Sequence, residues 1–196
     1  MAGINTESAV DLLKKGKIIG FPTDTVNGMG VLYDNFEGIE RIFDLKKRDK
    51  SKPFALFFPS VEWVYMFFRK SKTLEIIADA FLPGPLTLIA SPRRMLHNML
   101  MKDSLASFRV PADKRLQELL LKAGKPIAVT SLNLSGEKII IDEREAHKKL
   151  PEVSIFGALS KASVPSTVVR VFGGNIDFVR EGAVSSRDFI RKLKNI

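Results

Sequence analysis

The chain has 196 residues, 45% hydrophobic and 27% charged, with a formal net charge of +9 and no cysteine. That length and composition suit one globular domain and exclude a largely disordered chain, and the lack of cysteine excludes disulfides, thiolate zinc sites and cysteine nucleophiles. No apolar run approaches the roughly 20 residues that cross a bilayer and Met1 to Asn5 lacks a signal pattern, so we expect a cytoplasmic protein, off the membrane, with an anionic partner such as a nucleotide, nucleic acid or lipid headgroup.

Apolar spacing and end signals predict a helix from Thr6 to Lys15 closed by Gly16, then an apolar strand from Ile18 to Phe21. The polar turn Pro22 to Gly30 follows directly. Dense in hydroxyls and glycines, with one carboxylate, it suits recognition of a small polar molecule. Val31 to Tyr33 reads as a second strand. Asp34 or Asn35 then caps a helix on which Phe36, Ile39 and Phe43 share a face and which delivers Lys46 and Arg48 to its exit. Pro53 opens the strand Phe54 to Phe58, apolar throughout and expected to be buried on both faces. Helices at Val61 to Phe68 and Thr73 to Phe81 precede Pro83-Gly84-Pro85, which forces a turn into the strand Leu86 to Ala90. Ser91 to Asp103 reads as a long mobile loop. The strand Leu105 to Val110, the helix Asp113 to Leu121 and the strand Ile127 to Ser131 follow, the last running into a second polar loop, Asn133-Leu134-Ser135-Gly136. Next come a helix at Asp142 to Leu150 and a strand near Val153 to Phe156. Thr167 to Phe172 and Ile176 to Arg180 form a hairpin through Gly173-Gly174-Asn175, and an amphipathic helix from Ser186 to Leu193 ends the chain. Strands alternating with helices, plus one hairpin, predict a single α/β domain over residues 1–196 on a twisted, open mixed sheet flanked by helices.

The run Lys46-Lys47-Arg48-Asp49-Lys50-Ser51-Lys52-Pro53 suits polyanionic phosphate. Lys46, Arg48 and Lys52 supply donors, and Arg48 can bind in a two-point fork. The alternative for these residues is a solvated helix end, where cations complement the local dipole. Polar loops at the ends of apolar strands recur at Pro22 and Ser131, and ligands in open α/β sheets lie outside such ends. Ser131, Asn133 and Ser135-Gly136 are therefore candidates for phosphate or ribose, with ordinary turn formation as the competing explanation. Arg109 stands on an apolar strand where an unpaired guanidinium is costly, so it faces a carboxylate or a polar cleft, or forms a buried pair with Asp24 or Glu181. His97 and His147 have neither metal-ligand spacing nor a serine partner and are assigned no role. Phe57, Phe58, Trp63, Phe67 and Phe68 read as core, with base stacking as the alternative. No Walker-type Gly-x-x-x-x-Gly-Lys-Ser/Thr occurs and no Gly-x-Gly-x-x-Gly follows the first strand, so a nucleotide has to be held another way.

Taken in order, these pieces resemble the YrdC-like threonylcarbamoyl-AMP synthases over nearly the whole chain. The family's Pro-Thr-Glu-Thr-Val-Tyr-Gly-Leu-Gly looks like Pro22 to Gly30, and its Lys-x-Arg like Lys46 and Arg48 with Lys52-Pro53 behind. Its Pro-Gly-Pro-x-Thr matches Pro83 to Thr87, its Arg-x-Pro matches Arg109 to Pro111, and its Ser-Ala-Asn-x-Ser-Gly matches Ser131 to Gly136. Ser166-Thr167-Val168-Val169 and Arg180-Glu181-Gly182 resemble its last two signatures. The resemblance implies a nucleotidyltransferase acting on ATP with Mg²⁺. L-threonine and bicarbonate or carbon dioxide yield a carbamate whose oxygen attacks the α-phosphorus of ATP, releasing pyrophosphate, and partner proteins receive the intermediate for threonylcarbamoyladenosine in tRNA. It implies Thr25, Arg109 and Ser166 for threonine, and Arg48, Lys52, Ser131 and Arg180 for ATP. Lys46 and Asn133 complete the ATP set, Lys46 and Arg48 being the catalytic pair, and no protein metal site is expected. This chain departs from the pattern at Asp24 (usually glutamate), Asn27 (usually aromatic), Thr130 (usually proline) and Leu132 (usually alanine), and it lacks a histidine near Phe57; the expectation is a loosened amino-acid pocket. Its length resembles the short, single-domain form. The alternative from another class is a divergent, non-catalytic paralogue binding tRNA or double-stranded RNA through a basic concave face.

Overall fold

The structure, a computed structural model, describes residues 3–195. The expectations for Met1 and Ala2, and the outer limits of a domain spanning 1–196, lie outside the described residues. In chain order the elements are α1 (Thr6–Lys14), β1 (Ile19–Phe21), β2 (Gly28–Leu32), α2 (Phe36–Lys46), β3 (Ala55–Phe57), α3 (Val61–Phe67), α4 (Lys72–Phe81) and β4 (Leu86–Ala90). A 3-10 turn (Asn98–Leu100), β5 (Met101–Lys102), β6 (Leu105–Arg109), α5 (Lys114–Ala123), β7 (Ile127–Ser131), α6 (Glu143–Lys149), β8 (Ser154–Ile155), β9 (Thr167–Phe172), β10 (Asn175–Arg180) and α7 (Ser186–Lys194) follow.

Helix starts are set by side chains that accept an orphan N–H of the first turn: Asn5, Asn35, Ser71, Asp113, Asp142 and Ser185, each contributing about 1 kcal/mol. The described strands form one mixed sheet in the order β10-β9-β4-β6-β3-β7-β2-β1-β8, with β5 hydrogen-bonded to β6. β3 and β6 run parallel, as do β4 and β9, while β7 is antiparallel to both β3 and β2. Helices α1 and α5 cover part of one face, where Leu13, Leu116, Leu119 and Leu120 pack on Ile19, Phe21 and Ile127. The larger core, around Ile39, Phe43, Leu56, Phe58, Ile77 and Phe108, joins α2, α3 and α4 to the sheet. The fold is thus the expected α/β arrangement of helices on an open mixed sheet.

Several boundaries differ from the sequence reading. β2 begins at Gly28, inside the stretch read as a turn. Gly30 there packs so tightly on β7 that a Cβ would lie 2.2 Å from the Ala128 carbonyl oxygen, so this glycine serves sheet packing. The segment read as a mobile loop, Ser91 to Asp103, is tied down by a bridge from Phe68 to Pro92, by the 3-10 turn and by β5. Phe36 departs from the buried face of α2 and is 40% exposed. Asn175 belongs to β10, leaving Gly173 and Gly174 as the two-residue turn with φ of 59° and 82°, the left-handed backbone a tight hairpin requires.

Candidate active site

The face that α1 and α5 leave open carries a cavity of about 590 Å³. Its floor follows strand alternation: Ala55 and Phe57 of β3, Ser107 and Arg109 of β6, Thr87 and Ile89 of β4, and Val129 of β7. The 22–27 turn arches over it, contributing Thr23, Thr25, Val26 and Asn27. Strand register gives the cavity two ends. Ala55 pairs with Ser107 and Phe57 with Arg109, so Arg109 marks one end and the Pro53 corner the other. From Leu105 to Arg109 the strand advances about 13 Å.

At the first end Arg109 is 3% exposed and its guanidinium is held on three sides. Nε donates to Gly84 O at 3.0 Å, Nη1 to Thr25 Oγ1 at 2.6 Å and Nη2 to Asp24 Oδ1 at 2.7 Å. The pairing with Asp24 realises one of the alternatives weighed for Arg109. Burial pushes the Arg109 guanidinium down and nearby Arg180 adds to this, while Asp24 opposes it. A guanidinium has five N–H donors, so an Nη1 and an Nη2 hydrogen remain for a ligand carboxylate. Thr25 is held in turn by Thr23, whose Oγ1 lies 3.1 Å away. Ser166 Oγ lies 2.8 Å from Thr87 Oγ1, and Arg180 donates to Ser166 O at 2.8 Å. Gly182 sets this contact: a Cβ there would lie 2.3 Å from Pro165 O. Thr25, Arg109, Ser166 and Arg180 are therefore brought together, with Arg180 at the Arg109 end rather than beside Arg48.

The other end is cationic. Arg48 donates to Lys52 O and Pro53 O at 3.2 and 3.3 Å and lies over the Phe54 ring. Burial pushes its guanidinium down, with Asp49 opposing. Arg48, Ser51, Lys52 and Ser131 line the cavity; no Asp or Glu among the described residues does. Lys46 is placed differently from the expectation of a phosphate contact. As the last residue of α2 it is 1% exposed and is not part of the cavity wall. Its ammonium donates to Ser131 O, Asn133 O and Asn133 Oδ1 at 2.5, 2.5 and 2.8 Å, and its carbonyl accepts from the Ser135 N–H. Ser131 Oγ donates to Asn133 Oδ1 at 2.7 Å. Lys46 and Asn133 thus form the frame of the 131–136 loop, and Ser131 is the member that reaches the cavity. Burial, with Arg48 adding, pushes the Lys46 ammonium down to about 7.

Asn27 stands at the cavity edge, where the resemblance expects an aromatic ring. Fully buried, its amide donates to Ile140 O and Ser160 O at 2.9 and 2.8 Å and accepts from the Ser160 N–H at 2.8 Å. It rivets two distant segments to the cavity edge. Phe57 lines the floor, with the Arg109 guanidinium 5.6 Å from its ring centre, while Phe58 and Phe68 are core and Trp63 and Phe67 are partly buried. His97 stacks on Phe36 and His147 bonds Glu143 O, both away from the cavity. The sequence reading missed Thr87, Ser107, Thr130 and Lys102 as cavity residues; strand alternation from Arg109 would have found Ser107. No group of three or more His, Asp or Glu side chains among the described residues is arranged to hold a metal ion, and no helix among them is long and apolar enough to cross a membrane.

Comparison with known proteins adds five findings. The Sua5/YciO/YrdC family profile, described as telomere recombination, matches residues 11–182. A threonylcarbamoyl-AMP synthase of Aliivibrio fischeri is 29% identical over 179 residues, 87% of this chain and 96% of that protein. Among solved structures, E. coli YciO superposes with a TM-score of 0.84 at 25% identity, covering 94% of this chain and 92% of that one. P. abyssi Sua5 complexed with L-threonine superposes with a TM-score of 0.88 at 24% identity, covering 97% of this chain and 58% of that one. Against the curated Pyrococcus abyssi synthase the chain is 30% identical over 132 residues, 66% of this chain and 38% of that longer protein.

Proposed function

Because the chain belongs to the Sua5/YciO/YrdC family, we propose that it is an L-threonylcarbamoyladenylate synthase, a nucleotidyltransferase using L-threonine, bicarbonate or carbon dioxide, and ATP. The observation that carries this reading is the two-ended cavity. One end is a carboxylate cradle of Arg109, Thr25 and Ser166; the other is a cluster of cations, Arg48 and Lys52, that no carboxylate on the cavity wall neutralises. Relatives named threonylcarbamoyl-AMP synthase and a structural neighbour solved with L-threonine support it.

In this reading the threonine carboxylate takes the free Arg109 hydrogens, and Thr25 and Ser166 orient the amino acid. The amine adds to carbon dioxide and gives up a proton to solvent, leaving a carbamate. Its oxygen then bonds to the α-phosphorus as the bond from that phosphorus to the β-phosphate oxygen breaks, and pyrophosphate leaves. Charge grows on the leaving group, where Arg48 is held beforehand by the Lys52 and Pro53 carbonyls and the exposed Lys52 adds a second cation; positioning and charge neutralisation account for catalysis without a protein nucleophile. Ser131, held by Lys46 and Asn133, contacts the nucleotide. Mg²⁺ enters on the ATP phosphates as MgATP, which fits a cavity whose walls offer hydroxyls and cations but no carboxylate. Partner proteins of tRNA modification would consume the adenylate.

The test is incubation with ATP, bicarbonate and threonine, with mass detection of the adenylate and omission of each substrate in turn. Adenylate formed only in the complete mixture supports the synthase. Its absence, together with RNA binding that falls steeply with salt, supports the non-catalytic RNA-binding alternative.

A further inference from the structure

We propose that Lys102 is a further ligand for the distal phosphates of the nucleotide, an inference that rests on the nucleotide reading above. Lys102 ends β5, a strand of two residues paired to β6 through Met101–Ala106 and Lys102–Leu105. The β3 pairing with β6 starts only at Ala55–Ser107, so β5 occupies the edge of β6 that the Lys52–Pro53 corner leaves unpaired. The Phe54 N–H donates to Met99 O at 3.0 Å and locks the two segments together. Leu105 lies in alternation with Ser107 and Arg109, which line the cavity. Its pairing partner Lys102 therefore shares that face, and Lys102 is part of the cavity wall.

Its availability and the turn that presents it support this role. Unlike the few lysines held by a carboxylate, such as Lys122, Lys125 and Lys149, and like most lysines of the chain, Lys102 is exposed and its ammonium has no hydrogen bond or ion pair among the described residues, which leaves it open to an incoming anion. The turn that presents it has both central residues in the left-handed region, Asp103 at φ 50° and Ser104 at φ 63°. Glycine or asparagine usually fills such a two-residue hairpin. A costly backbone retained at a cavity mouth is a pointer to function; here it fixes the backbone from which the lysine reaches the cavity. Lys102 stands at the end of the cavity away from Arg109, about 13 Å along β6. The α-phosphorus has to meet the carbamate near Arg109, so the group left for Lys102 is the β,γ tail that departs as pyrophosphate.

The experiment is calorimetric titration of the 196-residue chain and its Lys102→Ala and Lys102→Arg variants with ATP, inorganic pyrophosphate, AMP and threonine. Lys102→Ala is expected to weaken ATP and pyrophosphate by about tenfold, equivalent to about 1.4 kcal/mol. AMP and threonine should stay within about twofold, and Lys102→Arg should recover most of the loss. Unchanged ATP affinity in Lys102→Ala, while the wild type binds ATP, overturns this inference alone. Equal weakening of AMP and threonine also overturns it, by revealing a structural role. A wild-type chain that binds no ATP overturns the nucleotide reading and this inference together.

Discussion

Replacing Lys46 by methionine keeps a long unbranched side chain but removes the ammonium that holds Ser131 O, Asn133 O and Asn133 Oδ1. Two opposed quantities set the cost. The fall of the ammonium from 10.5 to about 7 corresponds to about 5 kcal/mol against the charged form at neutral pH and below. Charge-assisted hydrogen bonds contribute about 1.5–3 kcal/mol each, so losing all of them exceeds that relief by about 0–4 kcal/mol. The pH dependence has a fixed sign. Because the folded value lies below the unfolded one, the unfolded chain holds more protons between about pH 7 and 10.5, and stability from this group rises with pH across that window. The neutral amine, however, offers two N–H groups to three oxygens, so the 131–136 loop is held less firmly. Urea unfolding of wild type and Lys46→Met at pH 7 and pH 9.5 should show the wild-type advantage growing with pH, by about 3 kcal/mol over that part of the window. ATP affinity of the wild type should fall over the same range, and that of Lys46→Met should be about tenfold weaker already at pH 7. A stability difference independent of pH, or ATP binding by Lys46→Met equal to wild type, would refute the view that this ammonium frames the nucleotide loop.

Arg48→Ala should lose about 2–4 kcal/mol of transition-state stabilisation, while Lys47→Ala, at an exposed helix end, should do little; equal small effects on kcat/KM would mean a solvated cluster. Asp24→Asn removes one partner of a largely buried ion pair and should destabilise the fold by about 3 kcal/mol in urea, and a change near zero would contradict the pairing. Asn27→Ala breaks the bonds to Ile140 and Ser160 and should cost about 2–4 kcal/mol while narrowing the preference for threonine over serine. An unaltered kcat/KM ratio for the two amino acids would separate this rivet from selectivity. Gly182→Ala forces Ser166 to move and should raise KM for threonine with KM for ATP unchanged; a shift in both would place the strain elsewhere.

Helix starts were legible because Asn35, Asp113 and Ser185 carry their own signals in the next turn of chain. What escaped the sequence depends on partners far away. Gly28 and Gly30 have turn composition, and only the approach of Ala128 makes the second a strand residue. The role of Lys46 rests on oxygens some 85 residues ahead in the chain, so residue type could mark it as a cation but could not decide between phosphate and loop. Arg109 was readable as needing an anion because it interrupts an apolar strand, and Asp24 answers that need. Lys102 was hidden by a polar, Met-rich stretch without periodicity, which pairs with β6 only because Pro53 cannot extend β3. The basic cluster and the two polar loops were visible; the separation of the cavity into an Arg109 end and an Arg48–Lys52 end required the register of β3 and β6.

The proposed reaction makes threonine and bicarbonate necessary for any chemistry at the α-phosphorus. It is tested most directly by exchange of labelled pyrophosphate into ATP. The account predicts exchange only when threonine and bicarbonate are both present, with Arg109→Lys abolishing the threonine requirement's effect by removing exchange altogether. Exchange, or steady ATP hydrolysis, at an undiminished rate without threonine would contradict it.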